Sequence, residues 1–157
     1  MRIGHGFDAH RLEAGRTFVV GGIRIAHDRG PAGHSDGDAL AHAISDAILG
    51  ACALGDLGTH FPSSDERWRD ADSMYLLAAC VQMVAEAGYQ IDNLDATVIV
   101  QRPALAPHID AIRTAIARVL GVDLSQVSIK AKTTDGMGFT GDGSGIAAHA
   151  VALIEKR

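Results

Sequence analysis

Asp8 and His10 stand two residues apart in a segment, Ile3 to Leu12, whose residues alternate in character. On a β-strand that spacing sends both side chains from one face, with Gly4 and Gly6, while Ile3, His5, Phe7 and Ala9 take the other. A carboxylate and an imidazole so placed can grip one divalent ion. His42 is a third candidate donor, in a helix capped by Ser35-Asp36-Gly37-Asp38. Leu40, Ile44 and Ile48 form that helix's buried stripe, and His42 lies about 200° round from Leu40 by the 3.6-residue period. Asp38, His42 and Asp46 then stack on one face, offering His42 two carboxylates to fix its tautomer. An Asp-His-His set leaves the fourth position of a tetrahedral zinc ion open. That is the arrangement of a catalytic site, and a phosphoryl oxygen suits the vacant position.

Two further motifs match only in form. Gly33-His34-Ser35-Asp36-Gly37 has the spacing of a serine nucleophile elbow, but no buried strand precedes it. Gly136-Met137-Gly138-Phe139-Thr140-Gly141 has the dinucleotide-binding spacing, yet too little chain follows for the helix, second strand and acidic residue that motif requires. Its glycines serve tight turns or a close backbone approach to a ligand. Lys130 and Lys132 share one strand face and read either as a phosphate grip or as ordinary surface lysines.

The elements that must position these residues follow from pattern. Thr17–Val20 and Ile23–Ala26 are short strands joined by Gly21-Gly22, a two-residue hairpin signal. His27 to Pro31 reads as a polar loop, and Gly55 ends the helix that carries His42. A second helix is predicted over 73–87, with Gly88 as its stop. A strand follows over 96–100. A third helix opens at Pro107, carries the stripe Ile109, Ile112, Ile116, Val119 and Leu120, and closes at Gly121. Strands are predicted over 127–132 and, after a glycine-rich loop, over 146–154. The order β-β-β-α-α-β-α-β-β is a mixed α/β, two-layer architecture in one domain, residues 1–157.

Bulk composition narrows the function classes. With 47% hydrophobic and 21% charged residues, the 157-residue chain is globular in character. A formal net charge of −5 speaks against a nucleic-acid or anionic-membrane surface. It leaves room for an anionic substrate, because a bound metal inverts the local potential. No apolar run approaches the roughly 18 residues of a membrane span, and Met1–Gly6 lacks a signal-peptide pattern. Cys52 and Cys80 both fall in apolar helical patterns and read as buried reduced thiols, so a cytoplasmic location is expected.

In sequence order the chain runs Arg2-Ile3-Gly4-His5-Gly6-Phe7-Asp8-Ala9-His10, His34-Ser35-Asp36-Gly37-Asp38, then His42-Ala43-Ile44-Ser45-Asp46-Ala47. Ala53-Leu54-Gly55-Asp56-Leu57-Gly58, Phe61-Pro62, Ala71-Asp72-Ser73 and Gly138-Phe139-Thr140-Gly141 follow. With these motifs the whole chain resembles the 2-C-methyl-D-erythritol 2,4-cyclodiphosphate synthase family of the non-mevalonate isoprenoid pathway. The resemblance implies a homotrimer, strands toward its axis and helices outside, with active sites between neighbouring subunits. It implies that Asp8, His10 and His42 bind a divalent metal, usually zinc. A second hard cation, magnesium or manganese, would bridge the substrate diphosphate at Asp135, where family members carry glutamate.

The implied substrate is 4-diphosphocytidyl-2-C-methyl-D-erythritol 2-phosphate, cyclised with loss of CMP. His34 and Thr133 match positions of transition-state stabilisation. Ser35 lies beside them on the substrate, as do Asp8, Ala9 and His10. Asp56, Leu57 and Gly58, with Phe61, Pro62, Ser63, Ser64 and Asp65, match the methylerythritol-binding segments. Val100, Gln101, Arg102, Pro103, Ala104, Leu105 and Ala106, with Lys132, Thr133, Thr134 and Asp135, match the part, contributed by a neighbouring subunit, that receives the cytidine and its phosphates; Phe139 also counts among the substrate contacts. Asp142 stands where members carry an arginine associated with isoprenoid diphosphates at the trimer axis, so axial anion binding is expected to be lost. Ala104 stands where some members carry lysine. The competing classes are a metal-dependent phosphoesterase using the same triad, a non-catalytic binding protein, and a serine hydrolase acting through Ser35.

Overall fold

The computed structural model describes residues 1–157. A long strand, β1 (Arg2–Ala14), is followed by β2 (Phe18–Val20), β3 (Ile23–Ile25) and β4 (Arg29–Pro31). Helix α1 (Ala39–Ala51), a one-turn helix α2 (Leu57–His60) and α3 (Ser73–Glu86) come next. Then β5 (Tyr89–Ile99), α4 (Ile109–Leu120), β6 (Val127–Lys132), the one-turn α5 (Gly138–Gly141) and β7 (Gly145–Lys156) complete the chain. Five strands form one sheet in the order β4-β1-β7-β5-β6, and β2 and β3 form a separate hairpin.

The backbone chemistry explains why α1 can lie so close to the sheet. Gly4 and Gly6 are buried on β1, and a methyl group built on either would fall 1.8 Å from a carbonyl oxygen of α1, Ala47 for Gly4 and Ala43 for Gly6. Opposite them, β7 presents Ala148, Ala150 and Ala152, all fully buried. Helix and strands thus meet backbone to backbone, which brings His42 on α1 beside Asp8 and His10 on β1. Asp38 holds the start of α1 in register. Its carboxylate accepts Ala41 N–H as the N-cap and also Gly21 N–H at 2.9 Å and Gly22 N–H at 2.8 Å, which anchors the β2–β3 hairpin.

β1, β7 and β5 run antiparallel in turn, while β5 and β6 are parallel and joined through α4. The apolar stripe of α4 buries Ile112, Ile116 and Leu120, and Gly121 ends the helix in the left-handed region (φ 68°). One hydrophobic core of 33 buried residues runs through α1, α3, α4 and the inner face of the sheet. The other face is bare: Ile3 (71% exposed), Phe7 (49%) and Val151 (41%) stand on it.

The mixed α/β order predicted from sequence stands, with additions. Residues 29–31, read as loop, form the edge strand β4 against Leu12–Ala14. A strand of Arg-Gly-Pro carries no alternation to read, and an edge position tolerates its proline. β5 begins at Tyr89, seven residues before the predicted start, because polar Gln90, Asp92 and Asn93 break up its apolar pattern there and its pairing carries an irregularity between Ile91 and Asn93. α1 stops at Ala51, not at Gly55, and Pro107 lies in a short 3-10 turn before α4. The strand reading of 146–154 holds. Cys52 and Cys80 are both buried with free thiols, and burial pushes the Cys80 thiol up to about 11.

Candidate metal centre and substrate cleft

Asp8 and His10 project from the inner face of β1, and α1 carries His42 onto the same spot. Asp8 Oδ2 lies 2.7 Å from His10 Nε2 and 2.9 Å from His42 Nδ1, and the two ring nitrogens are 3.1 Å apart. The three side chains are between 12% and 26% exposed, so the cluster is sheltered but reachable. Burial works against the Asp8 charge, yet the contacts with His10 and His42 outweigh it and hold the pKa down to about 2. Burial also opposes a charged His10, and the carboxylate of Asp8 outweighs it in the other direction, raising the imidazole.

The cluster fits a divalent metal. His10 Nδ1 lies 2.5 Å from the carbonyl of Ala32, which can only accept, so the ring proton belongs there. His10 Nε2 then turns a lone pair toward a carboxylate oxygen and toward a second imidazole. Nitrogen and oxygen atoms converging at these distances can share a proton or close on a metal cation, and one carboxylate with two imidazoles is a donor set suited to zinc.

The expected support for His42 is different from the one found. Asp38 and Asp46 do not touch the ring. Asp38 is consumed as the cap of α1, and Asp46 accepts Leu57 N–H at 2.7 Å, so it fixes the start of α2 instead. At His42 Nε2 stand Ser73 Oγ (2.7 Å) and Ser35 Oγ (3.2 Å).

Beside the triad opens a cleft of about 200 Å³ lined by His10, His34, Ser35, His42, Leu57, Gly58, Phe61, Ser63, Trp68 and Leu76. His34 Nε2 donates to the carbonyl of Asp65 at 3.1 Å, and Phe61 stacks edge-on with Trp68 at 5.0 Å. Asp56 caps α2 through Thr59, and the Asp65 carboxyl is held below its ordinary range by its hydrogen bonds from Arg67. Pro62 and Ser64 are exposed in the same segment. Trp68 lines the cleft without having been singled out by sequence, where an aromatic next to charged Arg67 and Arg69 was the available signal, and Leu76, readable as an inward residue of its helix, was not read as part of a site.

The remaining predicted residues lie elsewhere. Val100–Ala106 and Lys132–Asp135 follow the ends of β5 and β6 and line none of this cleft. Val100 N–H donates to Lys132 O, and Gly136 N–H to Gln101 Oε1, so the two segments support each other. Thr133 Oγ1 donates to Asp135 Oδ1 at 3.2 Å, and Asp135 adopts a left-handed φ of 52°. β6 is three strand spacings from β1, about 14 Å across the sheet. Phe139 and Ala9 line a different hollow, of about 420 Å³, on the other flank of His10. Asp142 is exposed and accepts Ser144 N–H at 2.8 Å.

Residues 1–155 match the model of the YgbB family. The chain is 55% identical over 156 residues to a 2-C-methyl-D-erythritol 2,4-cyclodiphosphate synthase of Salinibacter ruber, covering 99% of each chain. It is 56% identical to the enzyme of that name from Moorella thermoacetica, covering 100% of this chain and 96% of the relative. A solved synthase structure of that name, in a form bound to CDP, superposes with a TM-score of 0.91 at 36% identity over 98% of this chain and 100% of that one. The bifunctional IspDF of Campylobacter jejuni gives 0.95 at 36% identity, with this chain spanning 99% of its own length but 42% of the longer protein. The matched length, the identity and the shared fold agree with the Asp-His-His cluster, and the chain belongs to the YgbB family.

Proposed function

We propose that the chain converts 4-diphosphocytidyl-2-C-methyl-D-erythritol 2-phosphate to 2-C-methyl-D-erythritol 2,4-cyclodiphosphate and CMP. The carrying observation is the convergence of Asp8, His10 and His42, the two histidines lining a cleft that also holds His34, Ser35 and Gly58. A 2-phosphate oxygen bonds to the β-phosphorus, and the bond from that phosphorus to CMP breaks; no water enters. Two phosphates must be pressed together against their own repulsion, so positioning and positive charge are what the protein has to contribute. Asp8, His10 and His42 would hold a divalent ion, zinc in our reading, whose Lewis-acid charge would act on a phosphoryl oxygen. His34 and Ser35 orient the phosphates, and the segments Asp56–Gly58 and Phe61–Asp65 enclose the methylerythritol. Asp135 would hold a second hard cation, magnesium or manganese, with Thr133 beside the reacting phosphate.

The proposal includes a homotrimer. Thr133 and Asp135 cannot belong to the cleft of their own chain if they sit three strands away, so a neighbouring copy supplies them. The outer face of the sheet supports this, since it leaves three large apolar side chains, Ile3, Phe7 and Val151, without cover among polar neighbours. A cytoplasmic location accords with two free, buried cysteines; no helix is long and apolar enough to cross a membrane.

One observation favours a second reading. Ser35 Oγ, His42 Nε2 and Nδ1, and Asp8 Oδ2 line up at 3.2 and 2.9 Å, the order of a serine-hydrolase relay. Supplying the cytidine substrate and following phosphorus NMR, with and without a chelator, separates the two. Cyclic diphosphate plus CMP, abolished by the chelator, is expected. Open-chain phosphates, or turnover indifferent to the chelator, would defeat the synthase reading.

A further inference from the structure

We infer that Asp36, acting through Ser73, is a positioning pair that sets the tautomer of His42 and so makes its Nδ1 a metal ligand. This rests on the reading that Asp8, His10 and His42 hold a divalent metal.

Unlike a carbonyl, a serine hydroxyl can give or take a proton, so the contact between His42 Nε2 and Ser73 Oγ leaves the ring tautomer open by itself. Asp36 removes that freedom. Its Oδ1 accepts Asp38 N–H at 3.0 Å, and its Oδ2 accepts Ser73 N–H at 3.0 Å. Ser73 Oγ makes a very short contact with Oδ1 as well. A carboxylate has no proton to give, so the hydroxyl of Ser73 must donate to Asp36. Its lone pair is then free only to accept, and His42 Nε2 must carry the proton. His42 Nδ1 is left as a bare lone pair, 2.9 Å from Asp8 Oδ2, facing the metal position. His10 reaches the same state through the carbonyl of Ala32.

The burial of the parts fits this use. Ser73 is fully buried at the first turn of α3, so no water competes for its hydroxyl. Asp72, not Ser73, caps that helix through Met74 N–H. The side chain of Ser73 is therefore not needed as a cap, and its two polar contacts both lie on the path from Asp36 to His42. The same direction of donation disqualifies Nε2 as a base toward Ser35, which disfavours the hydrolase relay.

The test uses the full chain loaded with zinc and competed against a chromophoric chelator at fixed pH. Ser73→Ala is expected to weaken zinc binding about 10- to 100-fold, the usual cost of losing a partner that orients a ligand. Asp36→Asn should weaken it comparably although Asp36 touches neither the ion nor the ring. An amide there must either forfeit an N–H contact or donate to Ser73 and reverse the relay. If Asp36 acts through Ser73, the double variant binds zinc no worse than Ser73→Ala alone. Losses that multiply in the double variant, or zinc affinity unchanged in Ser73→Ala, would overturn the inference. Long-range proton–nitrogen NMR on the histidine-labelled native protein gives an answer independent of whether the variants fold. A slowly exchanging proton on His42 Nε2 is expected, and a His42 protonated on Nδ1 would sink the proposal. Failure of the native chain to bind zinc at all would instead strike the metal reading itself.

Discussion

At the scale of single residues, the proposed function rests on which nitrogen of each imidazole holds a proton. Neither His10 nor His42 offers its metal-facing atom by default; a carbonyl on one side and a serine on the other commit the remaining proton. Asp8 is the shared charge, and its contacts with both rings keep it ionised down to about pH 2 against the cost of burial. The identity of the three donors was legible in the sequence, since a two-residue spacing on a strand and a polar position on an amphipathic helix both name a face. The partner of His42 was not. It comes from α3, 31 residues further along, and only tertiary packing brings it there. The carboxylates at helical spacing looked nearer, but Asp38 and Asp46 are drawn off by backbone N–H groups that would otherwise be orphaned. His42→Ala is expected to lower zinc per protomer and turnover together, since Asp8 and His10 alone form a two-donor site. Metal analysis after gel filtration measures it, and full zinc occupancy in that variant would exclude His42 as a ligand.

Elements convert those residue choices into geometry through close contact between α1 and β1. Alternation along β1, the Gly21-Gly22 turn and the stripes of α1, α3 and α4 were all readable, because each is a periodic pattern of burial. β4 and the polar start of β5 were not, because pairing to a neighbour decides them rather than their own side chains. Gly4 and Gly6 carry a consequence that periodicity alone does not reveal. Gly6→Ala would set a methyl group 1.8 Å from the Ala43 carbonyl, one residue from His42. Backbone cannot swing aside as a side chain can, so α1 must shift off β1. A loss at or beyond the upper end of the about 1–3 kcal/mol typical of overpacking is expected, with weaker zinc binding. Gly50, exposed near the end of the same helix, has nothing within 4 Å of an added methyl. Gly50→Ala should therefore stabilise the fold by roughly 0.5–1 kcal/mol, the helix-propensity difference alone. Urea midpoints for the two variants check the contrast; equal shifts would mean that close approach is not what Gly6 provides.

The whole molecule poses a different problem, because on the proposed function one chain holds two halves of a site that it cannot itself join. The triad and its cleft lie at β1, whereas Lys132–Asp135 lie at the same end of the sheet but three strands across. A sheet clothed by helices on one side and showing Ile3, Phe7 and Val151 on the other has an obvious way to bring them together. Copies packed by their bare faces around a common axis bury the apolar residues and set the β6 end of one chain against the β1 cleft of the next. Assembly and catalysis are then one property. Val151 sits in the middle strand of that face, between His5 on β1 and Asp95 on β5, and far from every cleft residue named above. Val151→Glu should leave the inner face and the triad intact while placing a charge in the buried contact. Light scattering is expected to fall from three copies of the 16.4 kDa chain toward one. Zinc per chain should hold while turnover collapses, because on this reading the metal needs one subunit and the cyclisation two. A monomeric variant that retains full turnover would show that Thr133 and Asp135 are not supplied in trans, and the shared-site reading would fail with it.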